Sequence, residues 1–187
     1  MADTLLKTAN PAPLGLLGFG MTTVLLNLAN ADIFGVDIMI IGMGLFVGGL
    51  AQFIAGLFSF RAGNTFNATA FTSYGVFWWS LVVVLCNPDI LNMPAASNMA
   101  MAFYFLAWAI YTTCMFVGTL KAEVAVRVVF ATLAILLYLL ALQRFDMDNT
   151  VWGFIAGIDG IICGLSAMYT AAAFVINEQF GKKVLPV

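Results

Sequence analysis

Asn10-Pro11-Ala12-Pro13-Leu14-Gly15-Leu16 opens the first long apolar run of the chain, which continues almost without polar interruption to Ala29. Pro11 and Pro13 bias the residues before them towards extended backbone, and Pro13 then suits the first turn of a helix. The stretch predicts a helix that begins at a membrane boundary, where its free N–H groups and positive dipole end can hold a small anion. A Pro-x-Pro sequence that merely starts a helix is the alternative, and the local chemistry alone favours it.

The composition is that of a membrane protein. Of the 187 residues, 63% are hydrophobic and 9% are charged, with a mean hydropathy of +1.04, whereas a soluble domain carries about a quarter charged residues. The net charge is −2 and no basic run exists, which argues against nucleic acid as a partner. The chain has no histidine. We therefore expect no metal, no cofactor and no enzymatic chemistry.

Six apolar stretches are long enough to cross a bilayer, which needs about 20 residues. They are residues 13–30, 36–58, 68–87, 98–119, 124–142 and 151–176. Because the connections are short, the sequence predicts one transmembrane domain over residues 1–187, an all-α bundle of six helices with antiparallel neighbours. Lys7 and Ala29-Asn30-Ala31 imitate a cleaved signal peptide around the first run. A single lysine and the polar Asn27 argue against cleavage.

The charged residues orient the predicted bundle. Under the six-span arrangement, the basic residues on the side of the N-terminus are Lys7, Arg61, Lys121, Arg127, Lys182 and Lys183. Only Arg144 falls on the other side, where the loops carry the acids Asp32, Asp37, Asp89, Asp146 and Asp148. The positive-inside rule therefore places both termini in the cytoplasm.

Polar side chains within the spans are the candidates for function. Thr69, Thr72 and Ser73 share one helical face that leads to Tyr74, and Gln52 lies on the glycine-rich face of the second span. Asp159 is the ionisable side chain that lies well inside a span. It is a candidate for proton coupling, because a charged carboxyl in lipid needs a partner or water. The alternative is that it reaches an extracellular vestibule.

The chain carries no lysine or arginine at mid-membrane, so an anion inside the bundle would meet only neutral donors. Aromatic side chains such as Phe19 and Tyr74 are suited to form a narrow apolar constriction between polar vestibules. This arrangement favours a small weak acid over a multivalent anion.

Three blocks of the sequence resemble the acetate uptake transporter family, which includes the succinate–acetate permeases. The first block is Asn10-Pro11-Ala12-Pro13-Leu14-Gly15-Leu16. The second is Gly63-Asn64-Thr65-Phe66 with Thr69-Ala70-Phe71-Thr72-Ser73-Tyr74-Gly75 and Phe77-Trp78. The third is Asn177-Glu178-Gln179-Phe180-Gly181 before Val184-Leu185-Pro186. The resemblance covers essentially the whole chain.

This resemblance implies six transmembrane helices per protomer and a homohexamer in which every protomer has its own pathway. It also implies acetate and succinate as substrates, with proton-coupled or channel-like movement. The family's constriction would fall on Phe19, Tyr74 and Leu133, where Leu133 depends on register counted from Lys121. Asp159 departs from the family pattern and leaves the coupling mechanism open.

Together these features predict a transporter of small carboxylates in the inner or plasma membrane. Asn10, Leu14 and Gly15 would shape the cytoplasmic mouth, and Phe19, Tyr74 and Leu133 would gate the pathway. Hydrogen bonds along it would come from Thr22, Thr23, Asn27, Gln52, Thr69, Thr72 and Ser73. A channel for small neutral solutes such as urea or amides is the first alternative, and a structural or sensory membrane protein without transport is the second. Dependence of flux on pH separates an acid transporter from a urea channel.

Overall fold

A computed structural model describes residues 9–86 and 92–187, and all regular structure in these ranges is helical. The helices are α1 (Ala12–Asn30), α2 (Ile38–Arg61), α3 (Thr65–Leu85), α4 (Asn98–Gly118), α5 (Val124–Phe145) and α6 (Val151–Phe180). All six are long and apolar enough to cross a membrane, which confirms the predicted six-helix bundle. The predicted end of the third span at Asn87, and the charges of Lys7 and Asp89, lie outside the described residues.

Capping residues explain where the helix ends differ from the predicted ones. Helix α3 begins at Thr65, because the Asn64 side chain accepts a hydrogen bond of 2.9 Å from the Asn67 backbone N–H. Helix α6 continues beyond residue 176 to Phe180 and ends at Gly181, whose φ of 61° is left-handed. Helix α6 thus continues through the polar residues Asn177, Glu178 and Gln179, beyond its apolar part.

The helices form a closed ring. Helix α1 packs against α2 and α6, α2 packs against α3, and α5 packs against α4 and α6. The ring closes between α3 and α4 through side chains, because their backbones hardly approach each other. Phe77 of α3 meets Trp108 of α4 with ring centroids 5.0 Å apart, and the Ser80 and Tyr104 hydroxyls are 2.7 Å apart. A ring of this kind leaves its centre to be filled or left open by side chains.

Helix α2 contains a π-helical segment, Met43–Ala51. A π-helix widens the turn and frees carbonyl oxygens from their usual partners. The Trp79 indole N–H donates to the Leu45 carbonyl at 3.0 Å, and the Thr22 hydroxyl contacts the Met43 carbonyl at 3.3 Å. Neighbouring helices therefore stabilise the irregular part of α2.

The two ends of the bundle differ in charge. We call the end where α1 begins and α6 ends the terminal side, and the opposite end the far side. Among the described residues, the terminal side carries the basic residues Arg61, Lys121, Arg127, Lys182 and Lys183. The far side carries Arg144 with Asp32, Asp37, Asp146 and Asp148. The helices thus distribute these charges as the sequence predicts.

Candidate functional site

Four cavities follow one another from end to end of the ring. On the terminal side a vestibule of about 480 Å³ opens between α1, α3 and α5, and on the far side a vestibule of about 110 Å³ lies beside a mouth of about 440 Å³. Between the vestibules is a gap of only about 20 Å³. The gap shares Leu16, Phe71 and Phe130 with the terminal-side vestibule and Phe19 and Leu133 with the far-side vestibule. The four spaces therefore form one interrupted path.

The gap is the narrowest part of this path. Phe19, Tyr74 and Leu133, the three predicted constriction residues, line it and are 4%, 3% and 5% exposed. The rings of Phe19 and Tyr74 have centroids 6.3 Å apart. A volume of about 20 Å³ holds little more than one water molecule. The gap is therefore closed to a carboxylate until one of these side chains moves.

Tyr74 is held in place by a hydrogen bond and by several rings. Its hydroxyl lies 2.8 Å from the Thr112 hydroxyl, and both residues are buried. Its ring packs against the rings of Phe130, Trp108 and Tyr111, with centroids 6.2, 6.0 and 5.7 Å away. Sequence analysis missed Thr112, although its spacing from Trp108 on α4 was a usable signal.

Two of the predicted hydrogen-bonding residues line the far-side vestibule. These are Thr23 and Asn27 of α1, which are both 2% exposed. The Asn27 amide donates to the Thr23 carbonyl at 2.9 Å, and its oxygen accepts a bond of 3.0 Å from the Asn30 amide. The Thr23 hydroxyl oxygen is buried and has no partner among the described residues. It remains available to a ligand.

Gln52 lines the gap itself. The side chain is 1% exposed, and its oxygen has no hydrogen-bond partner within the described ranges. A buried polar atom without a partner is costly. Because this oxygen is an acceptor, it can be satisfied at the gap by a molecule that donates a hydrogen bond, such as water or a protonated carboxylic acid.

Four other predicted hydrogen-bonding residues lie away from the cavity walls. The Thr22 hydroxyl bonds the Gly18 carbonyl at 2.9 Å and faces α2. Thr72 bonds the Ala68 carbonyl at 2.6 Å, and Ser73 bonds both the Thr69 carbonyl and the Tyr111 hydroxyl. Thr69 itself is exposed on the outside of the protomer. The hydroxyls of Thr22, Thr72 and Ser73 are thus used in helix contacts, as those of Ser and Thr in helices commonly are.

The Asn10–Leu16 stretch borders the terminal-side vestibule through Ala12 and Leu16. The Asn10 side chain accepts from the Ala12 N–H at 3.1 Å, so the helix start is partly capped from within. Leu14 is 44% exposed, and Gly15 lies against the Phe71 ring, where a Cβ atom would come within 2.6 Å. The vestibule lining therefore includes none of the three predicted mouth residues, but Gly15 packs against Phe71, which does line it.

Helix ends and two charged residues line the terminal-side vestibule. The first turns of α1, α3 and α5 contribute to its wall through Ala12, Phe66 and Val126, together with Lys121 and Glu123. Helix N-termini carry partial positive charge and attract carboxylates. The vestibule therefore combines three such termini and one lysine with one acid and the C-terminal residue of α4, Gly118, which brings the negative end of a helix dipole.

Asp159 does not line any of the four cavities. It is half-buried on α6, and its Oδ2 atom has no partner among the residues described. One turn further along, the buried Cys163 thiol lies 3.6 Å from the Val129 carbonyl of α5. The structure thus places Asp159 on α6 apart from the path.

Two vestibules separated by a closed aromatic gap inside a six-helix membrane bundle define a multi-pass membrane transport protein. The chain belongs to the GPR1/FUN34/yaaH family, whose sequence profile matches residues 3–187. This membership confirms the resemblance to the acetate uptake transporters and places the protein among transporters and channels rather than enzymes.

Curated relatives and a solved structure agree with this assignment. The chain is 48% identical over 181 residues to the succinate-acetate/proton symporter SatP of Escherichia coli, covering 97% of this chain and 96% of that protein. It is 34% identical over 199 residues to acetate permease A of Emericella nidulans, covering 97% of this chain and 66% of the relative. The solved structure of the bacterial acetate channel SatP matches with a TM-score of 0.94 at 48% identity, over 97% of this chain and 99% of the other.

Proposed function

We propose that this protein transports acetate across the inner or plasma membrane through a pathway inside each protomer. The observation that carries the proposal is the gap of about 20 Å³ between Phe19, Tyr74 and Leu133, with a vestibule on either side. An apolar constriction of this size selects by width and by loss of water. Acetate, with one carboxylate and one methyl group, is a small solute that such a gap can admit after a modest movement of one of its side chains.

Neutral polar groups accompany the substrate along this pathway. From the terminal-side vestibule the carboxylate passes Gln52 at the gap and then reaches Thr23 and Asn27. Along the path, the described wall residues include no basic residue between Lys121 in the terminal-side vestibule and Arg144 in the far-side vestibule. A charged group at mid-path would bind the anion strongly and slow its release. The neutral lining thus supports passage of the substrate rather than tight binding. Succinate is the proposed larger substrate of the same pathway.

Orientation and assembly complete the proposal. Both termini lie in the cytoplasm, because the terminal side carries most of the basic residues. The single transmembrane domain assembles as a homohexamer in which every protomer has its own path. The large apolar side chains exposed outside the ring, such as Phe46, Phe103 and Ile110, then face lipid or a neighbouring copy.

Acetate flux in proteoliposomes tests the proposed function. Uptake of labelled acetate is measured with and without an imposed pH gradient, and labelled urea serves as the neutral solute. We expect acetate uptake to rise when the solution outside the proteoliposomes is made acidic, and to fall when an uncoupler is added. Equal flux of urea would favour a neutral-solute channel. No flux of either solute would favour a protein without transport.

Two variants test the gate. Phe19→Ala and Tyr74→Ala enlarge the gap and are expected to admit carboxylates larger than the wild type accepts. Phe103→Ala is the matched control, because Phe103 is 57% exposed on the outside of α4. If both gate variants leave the uptake of larger carboxylates at background, the gate has been assigned to the wrong residues.

Asp159 is the proposed site of proton coupling. Its carboxyl lies within α6 but outside the walls of the path, so any coupling acts through the helix rather than by contact with acetate. In Asp159→Asn we expect acetate to equilibrate across the membrane without responding to an imposed pH gradient. An unchanged response would remove Asp159 from the mechanism and leave the pathway itself intact.

A further inference from the structure

We propose that Arg144 captures the carboxylate anion on the far side of the membrane and delivers it to the neutral pathway. The inference rests on the proposed function and adds a charged binding site to it. Arg144 lies in the wall of the far-side vestibule, next to Gln143. Gln143 and Asn30 line both this vestibule and the far-side mouth. Arg144 therefore stands where a solute leaves the mouth and enters the narrow part of the path.

The Arg144 guanidinium has unused hydrogen-bonding capacity. Its Nε atom is buried and has no hydrogen-bond partner among the described residues. A guanidinium presents N–H groups in a planar fork that fits the two oxygens of a carboxylate. A small carboxylate in the vestibule would supply the acceptor that this donor lacks.

Two further donors in the same vestibule lack acceptors. The Thr23 hydroxyl and the Trp78 indole N–H are both buried without partners in the described part of the chain, and both residues line the cavity with Arg144. An anion can only accept hydrogen bonds, so a wall with several unused donors suits an anion better than a cation. The vestibule thus offers a charged first contact and neutral donors beyond it.

Neighbouring acids are engaged elsewhere. Asp146, two residues after Arg144, accepts the Trp152 indole N–H at 3.1 Å, and Asp37 caps α2 by accepting from the Met39 N–H at 3.0 Å. Asp32 lines the far-side mouth rather than the vestibule. None of the acids in the described part of the chain is a partner of the Arg144 Nε atom.

The charge pattern of the far side favours this role. Arg144 is the one basic residue there, whereas the sequence places Asp32, Asp37, Asp89, Asp146 and Asp148 on the same side. A surface with this excess of acids repels carboxylates, and a single cation inside a cleft focuses them onto one position. Arg144 would thus offset the repulsion where the path begins.

A structural role for Arg144 makes a different prediction. Arg144 lies in the last turn of α5, and a cation at a helix C-terminus stabilises the helix dipole. Replacement would then lower stability without changing the concentration of acetate that half-saturates transport. The two roles are separable by kinetics.

The test is acetate uptake from the far side by Arg144→Gln and Arg144→Lys in proteoliposomes of known orientation. We expect Arg144→Gln to raise KM roughly tenfold, as for the loss of one charge-assisted hydrogen bond, and to leave the maximal rate within about twofold. Arg144→Lys keeps the charge and should recover part of the affinity. High ionic strength screens the attraction to Arg144 in the wild type and the repulsion by the far-side acids in both proteins. The difference in KM between the wild type and Arg144→Gln should therefore shrink.

Arg127→Gln is the matched control. Arg127 lies in the first turns of the same helix, and its Nε atom is also buried without a partner among the described residues, but it does not line the path. A rise in KM of equal size in both Gln variants, or an unchanged KM in Arg144→Gln, would overturn the proposal. Absence of acetate uptake in the wild type would instead refute the proposed function. If Arg144→Gln fails to fold, the Arg144→Lys kinetics decide: an unchanged KM in that variant would overturn the proposal.

Discussion

At the scale of single residues, one hydrogen bond sets the position of the gate. Most buried or partly buried hydroxyls in the described helices bond a carbonyl of their own helix, as Ser59 and Thr170 do. The Thr112 hydroxyl instead bonds the Tyr74 hydroxyl, which is 2.8 Å away on a different helix. Since Tyr74 lines the gap, opening the gap by movement of its ring requires this bond to break.

Removing the Thr112 hydroxyl should therefore loosen the gate. We expect Thr112→Val to raise acetate flux by roughly five- to tenfold, as for the loss of a net hydrogen bond of about 1 kcal/mol or slightly more. The variant should also admit somewhat larger carboxylates. Initial rates of labelled uptake in proteoliposomes measure both effects.

Thr112→Ser and Tyr74→Phe are the controls for this bond. The serine keeps a hydroxyl at the same position and should behave as the wild type, whereas Tyr74→Phe removes the bond from the other side and should match Thr112→Val. The double variant should add nothing to either single change. Equal behaviour of Thr112→Val and Thr112→Ser would show that the hydroxyl does not hold the ring.

At the scale of helices, close packing of α1 against α6 positions the polar residues of the far-side vestibule. A Cβ atom added at Gly160 of α6 would collide with the Asn27 side chain. Asn27 in turn bonds the Thr23 carbonyl and the Asn30 amide. The small residue on α6 therefore decides where the Asn27 side chain stands, and through it the position of the Asn30 side chain.

A methyl group at Gly160 should disturb this vestibule. We expect Gly160→Ala to destabilise the protein by about 1–3 kcal/mol through overpacking and to reduce acetate uptake. Thermal unfolding in detergent and uptake in proteoliposomes measure the two consequences. The control is Gly42→Ala in α2, where a Cβ atom meets nothing within 4 Å and alanine favours the helix by up to about 1 kcal/mol. Equal stability of the two variants would contradict the contact with Asn27.

The C-terminal tail is held to α6 by two side chains, and Asn177 makes most of the bonds. The Asn177 oxygen accepts from the Val184 and Leu185 N–H groups at 2.7 and 2.8 Å, and its amide donates to the Leu185 carbonyl at 2.9 Å. The Tyr169 hydroxyl adds a bond of 2.8 Å to the Pro186 carbonyl. These contacts give a structural reason for the sequence block at the end of the chain.

Replacing Asn177 should release the tail. In Asn177→Ala we expect residues after Gly181 to become accessible to carboxypeptidase, because three of the bonds to the tail are lost. Tyr169→Phe removes only the fourth bond and should leave most of the protection. Mass spectrometry of the digested protein measures the difference. Equal protection of Asn177→Ala and the wild type would mean that other contacts hold the tail.

At the scale of the whole molecule, the six helices enclose their path within one ring. The contacts of α1 with α2 and α6, and of α5 with α4 and α6, leave α3 and α4 to be joined by aromatic and hydroxyl side chains. The path therefore runs inside a single copy of the chain. In an assembly of several copies, every copy would contain its own path and its own gap, and neither would be formed between copies.

The charge asymmetry predicts how the molecule sits in the membrane. We expect a fluorescent protein fused after Val187 to fluoresce in the cytoplasm, and alkaline phosphatase fused at the same position to be inactive. A fusion after Asp148, on the far side, should give the opposite pair of results. Active phosphatase at the C-terminus would reverse the orientation and would also exchange the two sides of the proposed pathway.

Apolar length and turn residues were sufficient to predict the architecture. The six spans follow from apolar runs of about 20 residues, because a backbone in lipid must satisfy its own hydrogen bonds and a helix does so locally. Phe19, Tyr74 and Leu133 line one gap, and their role as the constriction, with Leu133 located by the resemblance to a family, stays a prediction. The π-helical part of α2 was not predictable, because its stability depends on Trp79 and Thr22 of other helices.

The amino-acid sequence by itself determined that the chain spans a membrane six times, because hydropathy and helix ends depend on neighbouring residues. Only the tertiary structure decided which polar side chains face the path. Thr23 and Thr22 are adjacent in the sequence, yet Thr23 lines the far-side vestibule and Thr22 faces α2. In an all-apolar bundle, hydropathy does not distinguish a helix face turned to the centre from one turned to a neighbour. That choice is made by packing between distant helices, where small residues such as Gly160 set the distance.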